Sequence, residues 1–243
     1  ILTIILGKYY SDKDAGYFSQ AHKWNYMGHS LISGMVNGVA QPVLVSTGDE
    51  RERLQRVFRK MLRFTAFISF PALWGLALIV PELIPLAITD KWLPCVPILQ
   101  MLCIGGAFIP IITLYTNLII SRGRSDIYMF GTIAIGLIQM LVMWLLHPYG
   151  MQRMVVVYVI LNSCWLLVWH YFVWREIKLS LLSALKDLLP FAAISAMVLF
   201  ATYHLTACIT NAYLLMLSKI VVAALLYIGI MWLSGAKIFK ESI

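Results

Sequence analysis

Residues 51–81 read RERLQRVFRKMLRFTAFISFPALWGLALIVP. Two kinds of chemistry meet in this stretch. From Met61 to Pro81 it is apolar enough, and at 21 residues long enough, to cross a bilayer core, which takes about 20 residues of helix. Just before it, Leu54, Val57, Phe58, Met61 and Leu62 recur at helical spacing while arginines fill the other face. That prefix reads either as an amphipathic helix lying along the interface or as an extension of the span beyond the membrane.

Working outward, six more apolar stretches follow the same pattern. The seven spans are 16–45, 61–81, 95–120, 127–147, 153–173, 188–206 and 212–234. The first is long and mixed in composition. Hydrophobic residues make up 61% of the chain and charged residues only 12%. A soluble domain is nearer half apolar and a quarter charged, so part of the solvent here is lipid. The fold class expected is therefore all-α, a polytopic transmembrane helical bundle.

Basic residues alternate between the connections. The 46–63 segment carries Arg51, Arg53, Arg56, Arg59, Lys60 and Arg63, and the 121–126, 174–187 and 235–243 segments bring that side to 13. The opposite side holds only Lys8, Lys13, Lys91 and Arg153, which are 4 residues. The positive-inside rule then predicts that the Arg-rich connections and the C-terminus are cytoplasmic. The net charge of +8 is read as a topology signal with some pull on anionic lipid, and no nucleic-acid partner is expected.

The chain opens inside an apolar run, Ile1 to Leu6, with no basic n-region or cleavage site of a signal peptide. The expectation is a C-terminal portion of a longer protein whose first helix is cut. Cys95, Cys103, Cys164 and Cys208 form no C-x-x-C pair and read as small packing residues. No nucleophile elbow, zincin motif or P-loop occurs, and no catalytic residue, metal site or cofactor is expected. No acidic residue is expected in mid-span. Glu82 and Asp90 share a connection and have no partner base in this reading.

The sharpest pattern lies in the first span. At 100° per residue, Lys23, Ser30, Gly34, Asn37 and Gln41 fall within about 40° of one line, with Tyr26 and Gln20 about 60° to either side. Lys23 to Gln41 covers 18 residues, or about 27 Å of helix, nearly the depth of the hydrocarbon core. Lipid cannot satisfy such a stripe, so it should face other helices or a water-filled path. Lys23 either meets an anionic group or snorkels to the interface. A smaller patch holds Thr113, Tyr115, Thr116 and Asn117. The candidate binding residues are Lys23, Tyr26, Ser30, Asn37, Gln41, Tyr115 and Asn117. Arg122 and Arg124 read as interfacial anchors, and His22 and His29 as packing residues on one flank.

Several motifs resemble those of one known group. They are Ile5-Leu6-Gly7-Lys8, Ala15-Gly16-Tyr17-Phe18-Ser19-Gln20-Ala21, Gln41-Pro42-Val43-Leu44, Asp49-Glu50-Arg51-Glu52-Arg53-Leu54, Phe70-Pro71-Ala72-Leu73 with Gly75-Leu76, Asp90-Lys91-Trp92-Leu93-Pro94 followed by Val96-Pro97-Ile98-Leu99, and Asn117 with Gly123-Arg124-Ser125-Asp126. In order and spacing, across about residues 5–126, they resemble the C-terminal half of bacterial polysaccharide flippases of the MATE-like exporter superfamily. The resemblance implies two six-helix lobes around a polar cavity plus a trailing helix pair. Residues 1–173 would form the second lobe with its first helix truncated, and 174–243 a cytoplasmic linker and two further helices. It implies flipping of an undecaprenyl-pyrophosphate-linked oligosaccharide across the bacterial inner membrane by alternating access, for O-antigen, capsule or exopolysaccharide. The implied partners are that lipid-linked oligosaccharide, membrane lipids, a coupling H+ or Na+ and the missing N-terminal half. A MATE-like multidrug or cation antiporter is the alternative within the superfamily. A membrane enzyme of the same pathway is a further one, and the short outer connections argue against it.

Overall fold

The computed structural model describes residue 7 and residues 9–48 and 50–233. Lys8, Asp49 and the tail with Lys237 and Lys240 lie outside the described residues, as does the opening run Ile1–Leu6. Among the described residues, eight α-helices follow one another: α1 (Asp12–Ser46), α2 (Arg51–Ala87), α3 (Val96–Gly106), α4 (Ile109–Ser121), α5 (Ser125–Leu146), α6 (Met151–Ile177), α7 (Leu181–Leu205) and α8 (Ala212–Leu233). Short 3₁₀ turns at Asp90–Cys95 and His147–Tyr149 join α2 to α3 and α5 to α6. No strand occurs among the described residues. The all-α polytopic bundle expected from composition is what the chain forms.

Among the described residues, six helical stretches are long and apolar enough to cross a membrane, counting Asp90–Ser121 as one. The sequence reading has seven. The difference is α1, which at 35 residues is among the longest helices but is not one of the six. Its polar residues remove it from that class, and the stripe described above is the reason.

Local chemistry explains the element ends. Ser11 caps α1 by accepting the Asp14 N–H at 3.2 Å, and Asp12 and Asp14 sit at the positive end of the helix dipole. The chain turns after α1 at Gly48, whose φ of +72° is left-handed. Ser180 caps α7, and the Asn211 side chain accepts the N–H groups of Tyr213 and Leu214 at the start of α8.

α2 settles the choice over residues 51–64. It is one continuous helix of 37 residues, about 55 Å long, and carries Pro71, Pro81 and Pro85 without ending. The Arg-rich prefix is an extension of the span, because its apolar side, Leu54, Phe58 and Leu62, continues into the core of the same helix and is fully buried there.

The third expected span is a broken helix. α3 ends at Gly106, and α4 starts three residues later with Pro110 in its first turn. Pro110 has no N–H to give the Gly106 carbonyl, so the ladder lapses there. α2 stitches the gap: Ser69 Oγ donates to the Ala107 carbonyl at 2.6 Å, and Trp74 Nε1 to that of Ile104 at 3.2 Å. From α1, the Asn25 amide packs so close to Gly106 that a Cβ there would collide with it.

Two apolar cores stack along the bundle. One, nearer the Arg-rich end, joins Phe58, Leu62, Phe70, Leu114 and Trp169 from α2, α4 and α6. The other, toward the opposite end, joins Phe18, Val80, Ile84, Ile98, Met143 and Met154 from α1, α2, α3, α5 and α6.

Candidate translocation face

α1 packs against α2, α3 and α4 through Phe18, Ala21, Ile32, Val36, Ala40 and Leu44. Its other side is left uncovered by the described helices. Lys23, Tyr26, Gly34, Asn37 and Gln41 all lie on that exposed side, with Ser30 half-buried beside them. Apolar neighbours on the same side are just as open: Leu31 is 75% exposed and Val39 57%. The face is thus mixed, a polar stripe bordered by large apolar groups.

The individual contacts are few. Ser30 Oγ donates back to the Met27 carbonyl at 3.3 Å. Tyr26 meets His29 edge-on at 5.4 Å between centroids. Lys23 has no carboxylate partner among the described residues, and its exposed ammonium is free to reach an interface or an anion.

Asn117 joins the stripe from α4. Its Nδ2 donates to Asn37 Oδ1 at 2.7 Å and to the Thr113 carbonyl at 2.8 Å. Thr116 donates to the same Thr113 carbonyl at 3.0 Å. Tyr115 does not join it. That side chain is 1% exposed and points into the core between α2, α4 and α6, with Phe58 edge-on at 5.1 Å and His170 Nδ1 at 3.3 Å from its hydroxyl. Neighbours on a helix differ by about 100°, so a patch read as one group splits across two faces.

The polar character of α1 is also wider than one line. Asn25, His29, Ser33, Asn37 and Gln41 recur at every fourth position, which drifts about 40° per step around the helix. The series begins buried, with Asn25 4% exposed against Gly106, and ends exposed at Gln41. Asn25 Oδ1, His29 Nδ1 and Ser33 Oγ are buried and have no partner among the described residues. The i, i+4 recurrence was visible in the sequence, but aligning the helix on Lys23 hides it.

Arg122 and Arg124 serve the turn between α4 and α5. Arg122 donates to the Gly48 carbonyl at 3.4 Å, and Arg124 lies 3.7 Å from Glu176 and 3.5 Å from Asp126. These contacts tie the turn to the chain just after α1 and to α6 at that end of the bundle.

Two acidic residues depart from the sequence reading. Glu82 is not in a loop; α2 runs on to Ala87, and Glu82 has a base partner, Lys219 of α8, at 2.6 Å. Asp187 is not in a linker; it lies in the second turn of α7, 5% exposed, and accepts from Arg59 Nε at 2.6 Å. Lys219 escaped notice because nothing adjacent in sequence marks it, and its partner is 137 residues away.

Among the described residues, no group of three His, Cys, Asp or Glu side chains could hold a metal ion.

The bundle and its face define the class, a multi-pass helical membrane protein with one partly hydrophilic helix side. Residues 1–97 match the family described as "Polysaccharide biosynthesis protein". The chain is 36% identical over 98 residues to an uncharacterized membrane protein in the cps region of Klebsiella pneumoniae, 40% of this chain and 20% of that protein. It is 27% identical over 125 residues to the lipopolysaccharide biosynthesis protein WzxC of Escherichia coli, 51% of this chain and 25% of that protein. It is 25% identical over 200 residues to the teichuronic acid biosynthesis protein TuaB of Bacillus subtilis, 82% of this chain and 41% of that protein. The matches thus span from a fifth to about two fifths of those relatives. No solved structure matches. The resemblance drawn from the motifs is borne out to this extent: the chain is similar to membrane proteins of polysaccharide biosynthesis.

Proposed function

We propose that the chain is the C-terminal lobe of a transporter that flips an undecaprenyl-pyrophosphate-linked oligosaccharide across the bacterial inner membrane by alternating access. Residues 1–173 form the lobe and 174–243 the linker and trailing helix pair, with the C-terminus in the cytoplasm. The exposed side of α1 lines the path. Sugar hydroxyls bond to Ser30, Asn37, Gln41 and the Tyr26 hydroxyl, the pyrophosphate seeks Lys23, and the polyprenyl tail stays in lipid. Coupling is to H+ or Na+.

The observation that carries this reading is the uncovered polar stripe, about 27 Å long, on a helix packed into the bundle by its other side. Lipid offers such groups no hydrogen bonds, and a glycan does. The relatives named for lipopolysaccharide and teichuronic acid biosynthesis point the same way. Asn117 acts here by holding Asn37, and Tyr115 only by packing in the core between α2, α4 and α6.

The test uses the full-length protein in a strain that depends on it for surface polysaccharide. Lys23→Ala and the pair Asn37→Leu with Gln41→Leu should lower surface polysaccharide while the protein still accumulates in the membrane. Wild-type polysaccharide from both variants would overturn the role given to the stripe.

One observation speaks for the antiporter alternative. A shielded carboxylate does exist on α2, Glu82, with its side chain 12% exposed, although it lies at the end of the apolar stretch and not in its middle. That carboxylate is already paired with Lys219 and faces away from the stripe toward α8, so it suits a structural role better.

A further inference from the structure

α7 and α8 pack chiefly on one helix, α2, and on each other. Between the three helices runs a groove of about 630 Å³, lined by residues such as Ile68, Gly75, Val198, Ile220 and Ala224. In a soluble protein the apolar faces alone would drive this docking. In lipid they do not, because acyl chains are as apolar as the helices, and association rests on packing and polar contacts. The polar contacts at this seam are unusually specific.

Toward the Arg-rich end, Asp187 of α7 accepts from Arg59 Nε at 2.6 Å and Nη2 at 3.1 Å, with Arg63 Nη1 at 3.4 Å. Toward the other end, Lys219 of α8 donates to Glu82 Oε1 at 2.6 Å and to the Leu78 carbonyl at 3.3 Å. Arg59 and Glu82 are 23 residues apart on α2, about 34 Å of helix, so the two pairs sit toward opposite faces of the membrane. Their polarity is opposite. α2 supplies the cations at one end and the anion at the other, and the trailing pair supplies the complement. Between them, Tyr227 donates to the Phe67 carbonyl at 2.8 Å.

We propose that these two ion pairs form a charge lock that selects α2 as the docking helix for α7–α8 and sets their depth against it. A shift of one helical turn, about 5.4 Å, would break both pairs at once and leave Asp187, Glu82 and Lys219 shielded from water without a partner. An inverted docking would set like charges together. Removing the partner of a buried charge costs more than the pair itself contributes, so an arrangement that matches both pairs is favoured over one that matches neither. α2, α7 and α8 then move as one block, whichever substrate the α1 face serves. The lock stands apart from the transport reading, because its test measures docking.

The test is made in native membranes with the full-length protein, lacking its own cysteines and carrying Phe67→Cys with Tyr227→Cys. These rings are 5.6 Å apart at mid-seam. A protease site placed in the connection 207–211 makes a short thiol cross-link visible as two fragments held together. Glu82→Lys alone and Lys219→Glu alone should lower the cross-linked fraction about tenfold, or prevent accumulation, since each leaves like charges facing in a buried site. The swap of both together should restore accumulation and the cross-link. Undiminished cross-linking in the single variants would overturn the lock, and so would a swap that restores neither. Wild-type polysaccharide from the α1 variants would count against the α1 reading and leave the lock standing.

Discussion

Asn117 Nδ2 donates to Asn37 Oδ1 at 2.7 Å, so a buried member of the polar patch on α4 is tied to an exposed member of the stripe on α1. The bond fixes the Asn37 amide with its Nδ2 turned away from α4. Asn117→Leu should therefore loosen α1 against α4. Polar side-chain bonds between membrane helices are worth about 0.6 kcal/mol on average, so a double-mutant cycle with Asn37→Leu should give a coupling of that order. Unfolding in mixed detergent micelles reads it, and a coupling near zero would remove the link.

Gly106→Ala places a methyl against the Asn25 amide at the break between α3 and α4. The neighbour is the short, buried side chain of a packed helix, so it cannot swing aside. We expect lower accumulation in the membrane and a lower thermal midpoint. Asn25→Ala should recover much of both when combined with it, because the space then exists. Failure of that rescue would mean that the close approach is not what Gly106 protects.

Asp187→Asn keeps the shape of the side chain but leaves Arg59 and Arg63 without a counter-charge. Removing one partner of a buried pair costs about 3–5 kcal/mol, and the cost here should fall below that range because both guanidiniums are about a third exposed and reach water. Asp187→Leu, apolar but equally uncompensated, should be no better. Thermal midpoints of the purified full-length protein would separate these outcomes from a neutral effect.

Tyr115→Phe removes a hydroxyl that lies 3.3 Å from His170 in the core. The expected cost is about 1 kcal/mol of stability, with surface polysaccharide unchanged once protein levels are matched. A selective loss of polysaccharide at normal protein level would put Tyr115 back among the binding residues.

Much of the architecture was legible in the sequence because the bilayer makes strict demands on composition. Apolar runs of about 20 residues marked α5, α6 and α8 to within a few residues and the middle of α2 and α7, whose N-terminal ends start ten and seven residues earlier than expected. Two features escaped for physical reasons. The break at Gly106 lies inside an unbroken apolar run, where hydropathy carries no record of backbone hydrogen bonds, although Pro110 hinted at it. The Glu82–Lys219 and Asp187–Arg59 pairs join residues 137 and 128 apart, and a pattern read along the chain has no access to such distances. The stripe on α1 was found because its residues are neighbours on one helix. Tyr115 was assigned to the same patch on proximity along α4, where only its angular position decides.

The composition of α1 bears on how the protein enters the membrane in the first place. This long helix falls outside the six stretches apolar enough to cross by themselves. A nascent segment bearing Lys23, Asn37 and Gln41 partitions poorly from the translocon into lipid on its own account. α2 follows after a turn of four residues, 47–50, and is one of the six. Membrane insertion of α1 should therefore wait for α2, the two entering as a hairpin in which the later helix carries the earlier one across.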